Sequence, residues 1–120
     1  MVFLMLSKMT EKQCAAAMAS GEFESALRGA APKVAIVLTQ SWCPQWTMMR
    51  SWLGAVAETP GVAVYFVEYD NEPFFEPFMQ FKEDSFGNRE IPYVRYYRDG
   101  EFVRSSNYLD KSSFLRALGL

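Results

Sequence analysis

The chain contains no histidine, and its thiols are two, Cys14 and Cys43. Cys43 directly precedes Pro44. Proline suits the first helical position because its missing N–H would have had no intrahelical partner there. Cys43 is therefore the expected N-cap of a helix, where unpaired backbone N–H groups and the positive end of the helix dipole favour a thiolate. An exposed thiolate in that place attacks disulfides and mixed disulfides, or is oxidised by peroxide to a sulfenic acid. The alternative is an inert cysteine kept at a preserved position of the fold. Cys14, in the stretch Cys14-Ala15-Ala16-Ala17, is expected to be a small packed side chain and not a distant resolving thiol.

The missing histidine removes Cys/His pairs and Ser/His/Asp triads, and it leaves too few ligands for the common zinc sites. No metal or cofactor is expected. Twelve basic and fourteen acidic residues are scattered along the sequence and give a formal charge of −2, with no basic patch that would mark a nucleic-acid or anionic-membrane partner. Two cysteines in a chain that is half hydrophobic do not make a disulfide framework, so the expected location is the reducing cytoplasm. The apolar run from Val2 to Leu6 is too short for a membrane span and has no basic region before it; it reads as a buried strand.

The elements that must position Cys43 follow from patterning. Helical material is expected from about Met9 to Leu27, interrupted near Gly21 and ended by the breaker group from Gly29 to Pro32. Val34 to Thr39 is a continuous apolar run rich in β-branched residues, the pattern of a strand buried on both faces in a parallel sheet. A helix from Pro44 to about Glu58 follows, with Trp46, Met49, Leu53 and Val56 on one face, and then a strand from Val62 to Tyr69. Strand, helix, strand implies a crossover and a parallel pair. A further helix is expected from Pro73 to about Ser85. Ile91-Pro92 then opens a strand to Arg98, Asp99-Gly100 marks a hairpin, Glu101 to Ser105 is the antiparallel return, and Asp110 caps a final helix to Leu118. With no repeat or linker, residues 1–120 read as one α/β domain with a mixed central sheet flanked by helices.

Three landmarks in order, Ser41-Trp42-Cys43-Pro44-Gln45-Trp46 after a buried strand, Ile91-Pro92 before another, and the Asp99-Gly100 hairpin, resemble the thioredoxin-like superfamily from about Val34 to the C-terminus. The resemblance implies a thioredoxin-like fold, with Trp42 and Cys43 in the places of the family's Trp and attacking Cys. It further implies that Pro92 matches the proline that is cis in the family and borders the thiol. Ile91 would then offer its backbone to an extended substrate, so that Trp42, Pro44, Ile91 and Pro92 form the substrate-binding set around a catalytic Cys43.

The departures are specific. Trp46 stands where the family has its second cysteine, the acid that assists that thiol falls at Val37, and the lysine near it falls at Phe66. The two-cysteine cycle is lost together with its helpers. Proline directly after the cysteine is similar to glutaredoxins, some of which act with one thiol, but their Gly-Gly stretch for glutathione has no match between Val103 and Asp110.

Two functions fit these residues. The first is a monothiol redox protein acting through Cys43 on a protein or low-molecular-weight disulfide or thiol. The second is a non-catalytic binding or adaptor module that recognises an extended peptide in the groove beside Pro92. Trp46 is assigned to either the contact surface or the core. Phe74, Phe75, Phe78, Phe81 and Phe86 exceed one helical stripe and are expected to be mostly core. Arg95, inside an apolar strand, is expected to pair with a carboxylate such as Glu68.

Overall fold

A computed structural model describes residues 6–120. Five strands form one sheet: β1 (Ser7–Lys8), β2 (Lys33–Thr39), β3 (Val62–Glu68), β4 (Tyr93–Arg98) and β5 (Glu101–Ser106), in the spatial order β1-β3-β2-β4-β5. β1, β3 and β2 run parallel, while β4 is antiparallel to both β2 and β5. The helices are α1 (Glu11–Ser20), the short α2 (Ser25–Arg28), α3 (Pro44–Ala57), α4 (Phe75–Ser85) and α5 (Lys111–Leu118). None of the described helices is long and apolar enough to cross a membrane.

β2 is the middle strand, and its side chains alternate between two separate layers. Val34, Ile36 and Leu38 pack with α1, α2 and α4 through Cys14, Ala17, Leu27, Phe78 and Phe81. Ala35 and Val37 pack on the other face with α3 and α5 through Trp46, Met49, Leu53, Phe114 and Leu118. This two-sided burial is why the run from Val34 reads as continuously apolar.

The ends of the elements follow local chemistry. Thr10 caps α1 in a reciprocal capping box with Gln13, and Gly21 ends that helix at φ +86°, donating its N–H to Ala17 O. The stretch from Glu22 to Glu24 is thereby pulled out of the expected helix, and Phe23 turns into the core. Asp99 (φ +51°) and Gly100 (φ +82°) both take the left-handed conformation that a two-residue hairpin turn requires. Asp110 caps α5 through Ser113 N at 2.8 Å, and that hydrogen bond holds its carboxyl below the usual range.

The strand expected over Val2 to Leu6 falls, apart from Leu6, outside the described residues. β3 stops at Glu68 because Tyr69–Asn71 turn into a single 3-10 turn, and α4 begins at Phe75, two residues later than expected. Phe78 and Phe81 are buried. Phe74, Phe75 and Phe86 pack partly buried against the same layer, so the aromatic excess on α4 is core packing that runs out to its rim.

Candidate functional site

β2 delivers the chain to a turn at Gln40–Trp42, and Pro44 starts α3 one residue after Cys43, which is its N-cap. The turn is fixed from β3's side of the sheet. Asp70, in the 3-10 turn, accepts from Ser41 N at 2.8 Å and from Ser41 Oγ at 2.6 Å, and Gln40 Nε2 donates to Tyr69 OH at 3.4 Å. Trp42 points outward with 66% of its surface exposed, its indole N–H held by Gln40 Oε1 at 2.6 Å. A large apolar side chain pinned at its polar end and left in solvent is a ready contact surface.

Cys43 differs from the exposed thiol expected of it, with only 5% of its surface open. Its side chain makes no cap bond to the helix N–H groups; the sulfur instead lies 3.9 Å from the carbonyl oxygen of Ile91, a long S–H···O contact. Turning inward beside Trp46 and Val37 covers most of the side chain. The Ile91–Pro92 bond is cis. Pro92 is buried, Ile91 is half-buried, and Pro44 is exposed. Cys43 and Ile91 thus meet directly, with Trp42 and Pro44 flanking the sulfur along the chain.

The helix position three residues beyond Cys43 holds Trp46, which is buried to 1%. Its indole N–H donates to Glu68 Oε2 at 2.7 Å and its ring lies 5.5 Å from that of Phe66. Arg50 closes the group, with Nη1 3.1 Å from the same Glu68 oxygen and its guanidinium 5.3 Å from the Phe66 ring centre. Val37 stands opposite Phe66 in the β2–β3 register. Three positions that the thioredoxin resemblance assigns to a thiol, an acid and a lysine are therefore one apolar block. It carries no second thiol and no proton relay.

Glu68 is consequently not the partner of Arg95. Residues alternate across the sheet, so Glu68 shares the α3 face with Val62, Val64 and Phe66, while Arg95 shares the opposite face with Tyr93 and Tyr97. The partner is Glu22, whose Oε2 lies 2.8 Å from Arg95 Nη2, and the hydroxyls of Tyr97 and Tyr93 accept from Arg95 Nε and Nη1, each at 2.9 Å. Phe86 and Phe102 sandwich the guanidinium, with ring centres at 3.9 and 4.1 Å. Burial alone would lower its pKa, but the two tyrosine hydroxyls outweigh that and hold it above its ordinary value. This network joins the α1–α2 connection to β4.

Cys14 is fully buried on that same face. Burial, with Glu72 and Glu11 adding to it, pushes the Cys14 thiol up to about 12. Both cysteines are free. Asp70 lies outside the expected site residues; its signal is an acidic residue directly after a buried strand, facing the turn that leads into α3.

No protein-family model and no curated protein sequence matches the chain. Solved structures do match. Spinach chloroplast thioredoxin f, in its short form, superposes with a TM-score of 0.70 at 13% identity over 98% of this chain and 94% of its own. The fold is thioredoxin-like. A protein named Trxlp from Edwardsiella tarda matches with a TM-score of 0.61 at 20% identity, covering 94% of this chain and 97% of that one. A point-mutant thioredoxin from Halobacterium salinarum matches with a TM-score of 0.62 at 19% identity over 78% of each chain. Within this thioredoxin-like frame the second cysteine of the motif is absent, and Trp46 occupies its position.

Proposed function

We propose that this chain, as one thioredoxin-like domain, is a monothiol redox protein acting through Cys43. The observation that carries the reading is the setting of that sulfur: at the N-terminus of α3, 3.9 Å from the Ile91 carbonyl and beside exposed Trp42. The Cys43 thiolate, its proton given to solvent, attacks one sulfur of a disulfide R–S–S–R′. Cys43–S–S–R forms and R′S⁻ leaves. No neighbouring thiol can resolve the product, so an external thiol R″SH attacks the sulfur of R, releases R–S–S–R″ and returns Cys43 to its reduced form. Trp42, Pro44, Ile91 and Pro92 line the approach, and the backbone at Ile91 aligns an extended segment of a protein disulfide. The cycle belongs in a reducing compartment such as the cytoplasm, where the external thiol is plentiful and both cysteines stay free.

The near-complete burial of Cys43 favours a second reading, in which the same groove binds an extended peptide without turnover. Intact-mass measurement on wild type and Cys43→Ser, after oxidised glutathione and separately after dilute peroxide, separates the two. A glutathione adduct on wild type alone, removed by reduced glutathione, is the expected result. A sulfenic adduct formed by peroxide with no glutathione adduct assigns Cys43 to peroxide sensing. Absence of both modifications leaves the adaptor reading.

A further inference from the structure

The loop that brings Ile91 to the thiol is held at its other side by one carboxamide. β5 ends at Ser106, directly opposite Val94 near the start of β4, and this register sets the next residue, Asn107, beside loop residues 88–92. Asn107 Nδ2 donates to Asn88 Oδ1 at 3.0 Å, to Pro92 O at 3.0 Å and to Glu90 O at 3.3 Å. In return, Asn107 Oδ1 accepts from Asn88 Nδ2 at 3.1 Å. Asn88 Oδ1 also accepts from Glu90 N at 3.0 Å, and the Asn88 carbonyl takes a 2.9 Å bond from the buried ammonium of Lys82. Every loop residue from Asn88 to Pro92 except Arg89 and Ile91 is thus tied to this cluster.

The exception at Ile91 is informative. Its carbonyl faces Cys43 Sγ, and its N–H has no hydrogen-bond partner among the described residues. On a half-buried residue, an N–H left free between two tied neighbours is a donor held ready for an acceptor from outside the chain. An extended peptide supplies such an acceptor in the manner of strand addition. Holding the loop before binding removes an ordering cost that a mobile loop would charge against affinity.

We propose that Asn107 is a positioning residue. Through its paired amide with Asn88 it presents the Ile91 backbone to an extended peptide segment, and so sets a preference for peptide disulfides over small ones. This rests on the reading of the groove beside Pro92 as a substrate site, and its test has one arm that needs no reactive thiol.

In the first arm, mixed-disulfide formation on Cys43 is timed by intact mass with two probes. One is oxidised glutathione. The other is an unstructured decapeptide of alternating valine and serine with a central cysteine disulfide-linked to glutathione. Wild type is expected to react at least tenfold faster with the peptide, whereas Asn107→Ala and Asn107→Asp react with both probes at similar rates. Asn107→Asp keeps the shape but turns an acceptor toward three acceptors, so it should be at least as impaired as alanine. Equal loss of both rates, or an unchanged ratio, overturns the proposal.

In the second arm, a fluorescein-labelled version of the peptide, with serine for cysteine, is titrated by anisotropy against Cys43→Ser and against Cys43→Ser/Asn107→Ala. A roughly tenfold weakening in the double variant, with its thermal midpoint within a few degrees of the single one, supports the assignment. Equal affinities overturn it. If Cys43 of wild type reacts with neither probe, the redox reading fails and the anisotropy arm alone decides the role of Asn107.

Discussion

Cys14 and Cys43 lie on opposite faces of one sheet, and both are buried, yet their surroundings differ in kind. Cys14 sits in the first turn of α1 among apolar side chains, and its burial, with Glu72 and Glu11 adding negative charge, opposes a thiolate. Cys43 sits at the N-terminus of α3, with a backbone carbonyl on its sulfur and an exposed indole next to it in sequence. Burial is thus common to both thiols, and the groups around each sulfur are what differ. With β2 and its neighbours between them, the two thiols cannot join while the sheet is intact.

The largest effect expected from this contrast is chemical. Cys43→Ser should abolish glutathione adduct formation under native conditions and Cys14→Ala should leave it unchanged, as read by intact mass. The reverse pattern would break the comparison.

Next in size is the block under Cys43. Trp46→Cys, which recreates a two-cysteine spacing, should destabilise the fold by about 3 to 5 kcal/mol in urea denaturation, because it empties a large buried volume and strips Glu68 of its indole donor. A stable variant in which Cys43 forms a disulfide in air with the introduced thiol would show that the site retains more of a dithiol site than its apolar lining implies.

The Cys14 face offers a pH signature. Burial brings the Lys82 ammonium down to about 8 from an ordinary value of 10.5. Between those values the unfolded chain holds more protons than the native one, so stability rises with pH across that window and the full cost of burying the charge is present below pH 8. Lys82→Met should therefore gain on wild type below pH 8, and its advantage should shrink by up to about 3 kcal/mol as the pH approaches 10.5. Parallel unfolding curves for the two proteins at each pH check this. Smaller still, Glu22→Gln should cost about 1 to 2 kcal/mol by weakening a charge-assisted bond to Arg95, since Glu22 is itself partly exposed.

Much of this architecture is legible in the residues themselves. The continuous apolar run of β2, the proline at the start of α3 and the Asp99-Gly100 turn each carry a local physical signature, and together they place the thiol at its strand-to-helix corner. Pairing across space is harder to read. The expected partner of Arg95 is Glu68, but strand alternation puts those side chains on opposite faces, and the true partner Glu22 lies in a segment that Gly21 frees from the helix. Helical spacing leaves Trp46 divided between surface and core; the Glu68 and Phe66 contacts that settle it come from another strand. The contact of Cys43 with Ile91 spans 48 residues, and the Asn88–Asn107 pair rests on the register of a hairpin, neither of which has a signal in nearby sequence.

The most direct test of the central claim is a site-resolved exchange experiment. Native protein is exposed to oxidised glutathione, quenched at intervals in acid, digested and mapped for the modified cysteine, with a parallel sample unfolded in urea. Adduct is expected on Cys43 from the earliest times, while Cys14 stays free until the chain is unfolded. Adduct on Cys14 first, or on neither thiol before unfolding, would contradict it.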